Sequence, residues 1–118
     1  MHLRKKWKSI QNNKGELEMV KHIVMWKLKE TFSEAEKKEI AQTFKQDLEA
    51  LSDLMAGVIK IKVEMAPLES SNVDMMLDSE FDCIDTLNAY QVHPSHQKVS
   101  AYLKDKVVSR NCMDYTIE

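Results

Sequence analysis

Seven consecutive residues bring together three side chains that could move a proton. The run Tyr90-Gln91-Val92-His93-Pro94-Ser95-His96 contains a phenol, two of the four histidines and one of the two prolines. Imidazole and phenol groups serve as general bases and hydrogen-bond donors, and two histidines so close together could also bind a metal ion. The run therefore predicts a functional site, although it does not identify a substrate.

The same run is predicted to be the joint between two helices. Asp82 is a good N-cap for a first helix that ends near Val92 and has Tyr90 on its inward side. Proline disfavours helical backbone in the residue before it and suits the first position of a helix. His93 is therefore expected at the joint, and Pro94 is expected to begin the second helix.

His96 would then be the third residue of the second helix, on the inward stripe with Val99, Leu103 and Val107. The positive end of the helix dipole would keep its ring neutral and able to accept a proton. One alternative is a purely structural hydrogen bond inside the fold. Another is a metal site shared with His93, although further ligands are not evident.

Three residues outside the run are further candidates. His22 lies within an otherwise apolar strand face, where an unpaired polar ring would be costly, so it should have a partner. Arg110 and Cys112 share one face of the last strand with Val108 and Asp114. If that face meets the helices, Arg110 could reach a pocket, whereas a solvent-exposed salt bridge is the commoner outcome.

The periodicity along the chain predicts a ferredoxin-like α+β fold. Strands are expected over residues 20–28, 58–65, 73–81 and 108–117, with Ile59 facing inward, and a long helix runs from the capping box at Ser33 to Gly57. This order gives a four-stranded antiparallel sheet with helices on one face. Because the first strand is apolar on both faces, a second subunit is expected to cover the other face, which predicts a homodimer.

Composition narrows the function classes. Residues 1–18 are interpreted as an extension, either flexible or a mis-assigned start with translation beginning at Met19, and residues 19–118 as one domain. The net charge of −2 argues against nucleic-acid binding, and the longest apolar stretches are too short to cross a membrane. Two glycines exclude a P-loop and a dinucleotide-binding turn, so no cofactor is predicted. Two cysteines without CxxC spacing favour a reducing, cytoplasmic location.

The chain resembles the stress-responsive A/B barrel (Dabb) family. The resemblance rests on the first strand (20–28), on the block from Phe81 through the Tyr90–His96 run, and on the ending from Arg110 to Tyr115. It spans about Met19 to Glu118, and the YxxHPxH pattern is its most specific part. At the end of the long helix, Ala56 stands where the family usually has proline before the glycine.

The resemblance implies a ferredoxin-like protomer that pairs into a dimeric α+β barrel, often without an assigned reaction. One plant member is a polyketide cyclase, and its catalytic tyrosine and histidine match Tyr90 and His96. The implied pocket is lined by His22, Val24, Trp26, Leu77, Val99, Val107, Arg110 and Cys112. Trp26 and Arg110 would narrow and charge it, which argues against a polyketide. We therefore predict a small-molecule-binding or stress-associated protein, with a proton-transfer cyclase or isomerase as the alternative.

Overall fold

A computed structural model describes residues 18–117 of the chain. The predicted extension over residues 1–18 lies outside the described residues, except for Glu18. The strands are β1 (Val20–Leu28), β2 (Val58–Glu64), β3 (Met75–Phe81) and β4 (Val107–Thr116); the α-helices are α1 (Glu34–Glu49), α2 (Ile84–Val92) and α3 (Pro94–Lys104), and a 3-10 turn spans Ala50–Asp53.

The four strands form one sheet in the order β2-β3-β1-β4, and all neighbours are antiparallel. The helices lie against one face of this sheet, which confirms the predicted ferredoxin-like α+β fold. No helix of the described residues is both long enough and apolar enough to cross a membrane.

Helix α1 begins at the predicted capping box but ends earlier than predicted. The Ser33 hydroxyl accepts a hydrogen bond from the Glu36 amide at 3.1 Å, and the Glu36 carboxylate accepts one from the Ser33 amide at 2.7 Å. The α-helix stops at Glu49 and tightens into the 3-10 turn, so the prediction of one helix to Gly57 was too long. Gly57 adopts a φ of 98°, which glycine tolerates without strain and which redirects the chain into β2.

The core lies between the helices and the inner face of the sheet. Its side chains alternate along β1 and β3 and meet the apolar stripe of α1; they include Val24, Trp26, Leu28, Phe44, Met75, Leu77 and Phe81. The Trp26 and Phe44 rings pack edge to face with centroids 4.9 Å apart. The even-numbered residues of β1 therefore face the core, and we call their side of the sheet the inner face.

Two irregularities in strand register overturn details of the sequence prediction. The register shifts between Val58 and Lys60, so Ile59 is 48% exposed instead of facing inward. A second shift between Lys27 and Leu28 places Val107 opposite Leu28. Val107 is therefore the first residue of β4 and not an inward residue of α3, and Val108, which was expected to share a face with Arg110, is 60% exposed.

The predicted cap of α2 was also wrong. The N-cap residue is Cys83, which makes no side-chain capping bond. The carboxylate of Asp82 instead accepts a hydrogen bond from the Thr86 hydroxyl at 2.5 Å.

The face of the sheet away from the helices, which we call the open face, combines a charged half and an apolar half. In the charged half, Lys21 and Lys60 each donate to the Asp78 carboxylate, at 2.6 and 2.8 Å, and these hydrogen bonds lower the pKa of Asp78. In the apolar half, Met113 lies opposite Ile23 and is 66% exposed. The apolar half of the open face is thus the surface for which the sequence predicted a cover.

Candidate functional site

The helix joint at residues 90–96 is built as its proline predicts. His93 has extended backbone (φ −64°, ψ 135°), and Pro94 is the first residue of α3. The His93 Nδ1 atom accepts a hydrogen bond from the Ser95 amide at 3.1 Å, so this side chain caps α3. One nitrogen of His93 is therefore used in holding the joint.

His96 is half-buried at the third position of α3. Its Nδ1 atom lies 3.1 Å from the Gln91 carbonyl oxygen, which can only accept, so Nδ1 carries the proton and Nε2 is left as an acceptor. Burial lowers the pKa of His96; the bond to Gln91 opposes this shift, and the positive charge of Arg110 adds to it. The ring is therefore neutral at pH 7.

Tyr90 forms the wall behind His96. Its ring centroid lies 4.5 Å from that of His96 and 5.0 Å from that of Phe81, and its side chain is 0% exposed. Among the described residues, its hydroxyl is the only buried side-chain nitrogen or oxygen without a hydrogen-bond partner. Burial strongly raises the pKa of this phenol, so it stays protonated.

A cleft of about 460 Å³ opens beside α3 and the end of the sheet. It is lined by Trp26, Gln91, His96, Gln97, Ser100, Ala101, Leu103, Lys104, Val107 and Arg110. Four of the predicted site residues meet here, namely Trp26, His96, Val107 and Arg110. Trp26 offers an apolar wall, whereas Lys104 and Arg110 add two positive charges.

The other predicted pocket residues do not line this cleft. Val24 and Leu77 are fully buried in the core, and Val99 is half-buried against it. Tyr90 lies behind the ring of His96. The helix residues Gln97, Ser100, Ala101 and Lys104 were missed, although their spacing of three and four along α3 would have placed them on one side.

His22 and Cys112 belong to a second group, which we call the strand cluster and whose third member is Asp114. His22 is directly opposite Asp114 in the β1–β4 ladder, and Cys112 is two residues from Asp114 on the same face. The His22 Nδ1 atom lies 2.5 Å from a carboxylate oxygen of Asp114 and 3.7 Å from the Cys112 sulfur. His22 thus has the partner that its apolar surroundings required.

The strand cluster is anchored on one side and open on the other. His22 is buried, and its carbonyl oxygen accepts a hydrogen bond from the Ser79 hydroxyl at 2.6 Å. Cys112 and Asp114 are exposed because β4 is an edge strand. Burial and the Asp114 carboxylate raise the pKa of Cys112, and Arg110 lowers it in part.

Comparison with known proteins identifies one matching family. The family described as "Stress responsive A/B Barrel Domain" (Dabb) matches residues 20–117. A dimeric protein of unknown function with a ferredoxin-like fold from Bacteroides fragilis is 34% identical, with a TM-score of 0.79 over 84% of this chain and 96% of its own. No curated protein matches the sequence.

Two more distant structures share the fold alone. A dimeric ferredoxin-like protein of unknown function from Thermobifida fusca is 18% identical, with a TM-score of 0.74 over 90% of this chain and 97% of its own. A hydroxynitrile lyase from Passiflora edulis is 14% identical, with a TM-score of 0.70 over 86% of this chain and 95% of its own.

Proposed function

The chain belongs to the stress-responsive A/B barrel domain family, and we propose that it is a homodimer that binds a small carboxylate in the cleft beside α3. The observation that carries this proposal is the meeting of Arg110 and a neutral His96 in one cleft with an apolar wall. A guanidinium pairs with a carboxylate through parallel hydrogen bonds, and Lys104 adds to the positive field. The neutral ring of His96 offers an acceptor for a hydroxyl or amide group of the same ligand.

The apolar wall sets the size and character of the ligand. Trp26 is held rigidly by its packing on Phe44, and Leu103 and Val107 lie beside it in the lining. In a ligand with one ring or a short branched chain, the apolar part would pack against this wall while the carboxylate reaches Arg110. Phenylacetate is therefore a suitable probe, and phenylacetamide is its uncharged counterpart.

Titration calorimetry with these two probes tests the proposal. We expect phenylacetate to bind at least about tenfold more tightly than phenylacetamide, which is the effect of one charge-assisted hydrogen bond. Arg110→Gln should remove most of this preference. Lys98→Gln, which removes one charge from the exposed side of α3, should keep it. Equal binding of the two probes, or an unchanged preference in Arg110→Gln, would refute the proposal.

The dimer part of the proposal rests on the open face. Its apolar half contains Ile23, Met25, Met113 and Tyr115, and the last three are exposed in the single chain. Such a surface favours burial against a second copy. The Bacteroides fragilis and Thermobifida fusca structures are both described as dimeric, which supports a dimer for this chain.

Light scattering coupled to size exclusion tests the dimer. The chain of 13.7 kDa should elute with twice that mass. Met113→Lys should shift it toward the monomer, whereas Val92→Lys, a change at an exposed apolar residue on α2, should not. A monomeric wild-type protein at micromolar concentration would contradict the sheet-pairing arrangement.

A second candidate function is proton transfer, and the unprotonated Nε2 of His96 favours it. In this reaction Nε2 would take a proton from carbon next to a carbonyl group, and the electron pair would move onto the carbonyl oxygen. Tyr90 would donate a hydrogen bond to that oxygen. Its hydroxyl is buried behind His96, so this role requires the joint to open.

Exchange of the carbon-bound protons of 2-oxobutanoate for deuterium, followed by NMR, tests this candidate. The exchange rate with the wild-type protein should exceed the rate in buffer alone, and the rate with His96→Gln should equal the rate in buffer. A His96→Gln protein as active as the wild type would exclude His96 as the base.

The two cysteines bear on location. Cys83 and Cys112 are both free thiols. Free thiols are typical of a reducing compartment, and we propose a cytoplasmic location on this ground.

A further inference from the structure

The strand cluster brings together three different metal-ligating groups from two neighbouring strands. One donor atom each from His22, Cys112 and Asp114 lies within 4.8 Å of the other two. Among residues 18–117 this is the only group of three or more histidine, cysteine or acidic side chains in such proximity. Imidazole nitrogen, sulfur and carboxylate oxygen together are the ligand types that zinc and similar ions prefer.

The distances between the donor atoms suit a tetrahedral ion in two of three cases. Tetrahedral zinc separates its ligand atoms by about 3.4 to 3.6 Å, given its bond lengths. The Cys112 sulfur lies 3.7 Å from the His22 Nδ1 atom and 3.5 Å from the Asp114 oxygen. The remaining pair, His22 and Asp114, is closer at 2.5 Å because it shares a hydrogen bond.

The close pair can open by a movement of the Asp114 side chain. The Asp114 side chain is 39% exposed and belongs to an edge strand, so its carboxylate can rotate away from the ring. His22 is held by the β1 backbone and by the edge of the Phe81 ring, with centroids 6.4 Å apart. One ligand is thus fixed and two are adjustable, and their exposure gives an ion a path from solvent.

We propose that His22, Cys112 and Asp114 bind a divalent transition-metal ion of the zinc type. Three protein ligands leave a fourth coordination position for water or a small molecule. On binding, the thiol proton of Cys112 leaves to solvent, and the imidazole proton moves from Nδ1 to Nε2 so that Nδ1 can ligate. The proposal does not depend on the carboxylate site in the cleft.

Among the described residues, Arg110 is the neighbouring cation that opposes the ion. It lies on the same face of β4, two residues before Cys112, and its charge acts on that thiol. A nearby guanidinium repels a cation. Arg110→Gln should therefore tighten metal binding while it weakens phenylacetate binding, which separates the two proposals.

Titration of the full chain with cobalt(II), in the presence of a phosphine reductant, tests the site. Cobalt replaces zinc in tetrahedral sites, and a sulfur ligand gives a thiolate-to-cobalt absorption band that histidines elsewhere cannot produce. We expect this band in the wild-type protein and its loss when zinc is added. Absence of the band at a tenfold excess of cobalt would overturn the proposal.

Matched variants assign the ligands. Cys112→Ser should abolish the band, and Cys83→Ser should leave it unchanged. Asp114→Asn should weaken cobalt binding by at least about tenfold. Both altered β4 residues are exposed, so these variants should fold, and circular dichroism verifies that they do. A band that persists in Cys112→Ser, disappears in Cys83→Ser, or keeps its affinity in Asp114→Asn would contradict the three-ligand site.

Discussion

The helix joint and the strand cluster both place histidines against the sheet, but the joint is built from neighbouring residues and the strand cluster from residues far apart in the sequence. The joint is local, because seven residues supply the proline break, the cap and the two rings that pack against each other. The strand cluster is assembled by strand register from residues 92 apart in sequence, His22 and Asp114. The joint presents a neutral acceptor that is half-buried, whereas the strand cluster presents a buried ring paired with an exposed carboxylate. The two histidines should therefore respond differently to the same substitution.

Replacement of His22 should have the largest effect on stability. His22→Ala removes a buried ring and its hydrogen bond to the Asp114 carboxylate, and bonds to charged groups contribute about 1.5 to 3 kcal/mol. Chemical denaturation should show a loss of about this size in the free energy of unfolding. His96→Ala should cost less, since its partner is the neutral Gln91 carbonyl. An equal or larger loss for His96 would reverse the comparison.

Tyr90→Phe, unlike His22→Ala, should not lower stability. The Tyr90 hydroxyl is buried without a partner, and an unsatisfied buried polar group costs about 1 to 3 kcal/mol. Its removal should leave the midpoint of thermal unfolding unchanged or raise it. A clear fall in that midpoint would mean that the hydroxyl has a partner in solution.

The cap at the joint should contribute about 1 kcal/mol. His93→Ala removes the hydrogen bond from the Ser95 amide to the imidazole, and the loss of a helix N-cap costs about this amount. His93→Asn supplies another capping oxygen and should restore most of the stability. If both variants were as stable as the wild type, His93 would not hold the joint.

The smallest expected effect is the pH dependence due to His96. Burial lowers its pKa below the ordinary value of 6.5, so the unfolded chain binds this proton more readily than the folded protein does. The free energy of unfolding should therefore fall as pH drops below about 6.5. His96→Gln should lose this part of the dependence, as denaturation at a series of pH values would show. An unchanged dependence would mean that burial does not keep this ring neutral.

The same contrast explains how far the sequence could predict the molecule. The joint was predictable because Pro94 restricts its own backbone and that of His93, and helical spacing then assigns His96 and Leu103 to one side. The four-stranded sheet was predictable from alternation and element order.

What the sequence did not predict depends on contacts between distant residues. The register shifts that turn Ile59 outward and set Val107 opposite Leu28 leave no local pattern. The pairing of His22 with Asp114 follows from the β1–β4 register, although both residues lie in segments that were predicted to be strands. The exposure of Cys112 follows from the position of β4 at the edge of the sheet, which local sequence does not reveal.

A long-range proton–nitrogen NMR spectrum of the histidine rings at pH 7, with and without phenylacetate, would test the carboxylate site in the cleft most directly. We expect His96 to be neutral, with the proton on Nδ1, and its Nε2 resonance to shift when phenylacetate is added. The same addition should leave the ring of His93, which caps α3, unchanged. A charged His96 ring, or a phenylacetate complex that leaves the His96 resonances in place, would contradict the proposed site.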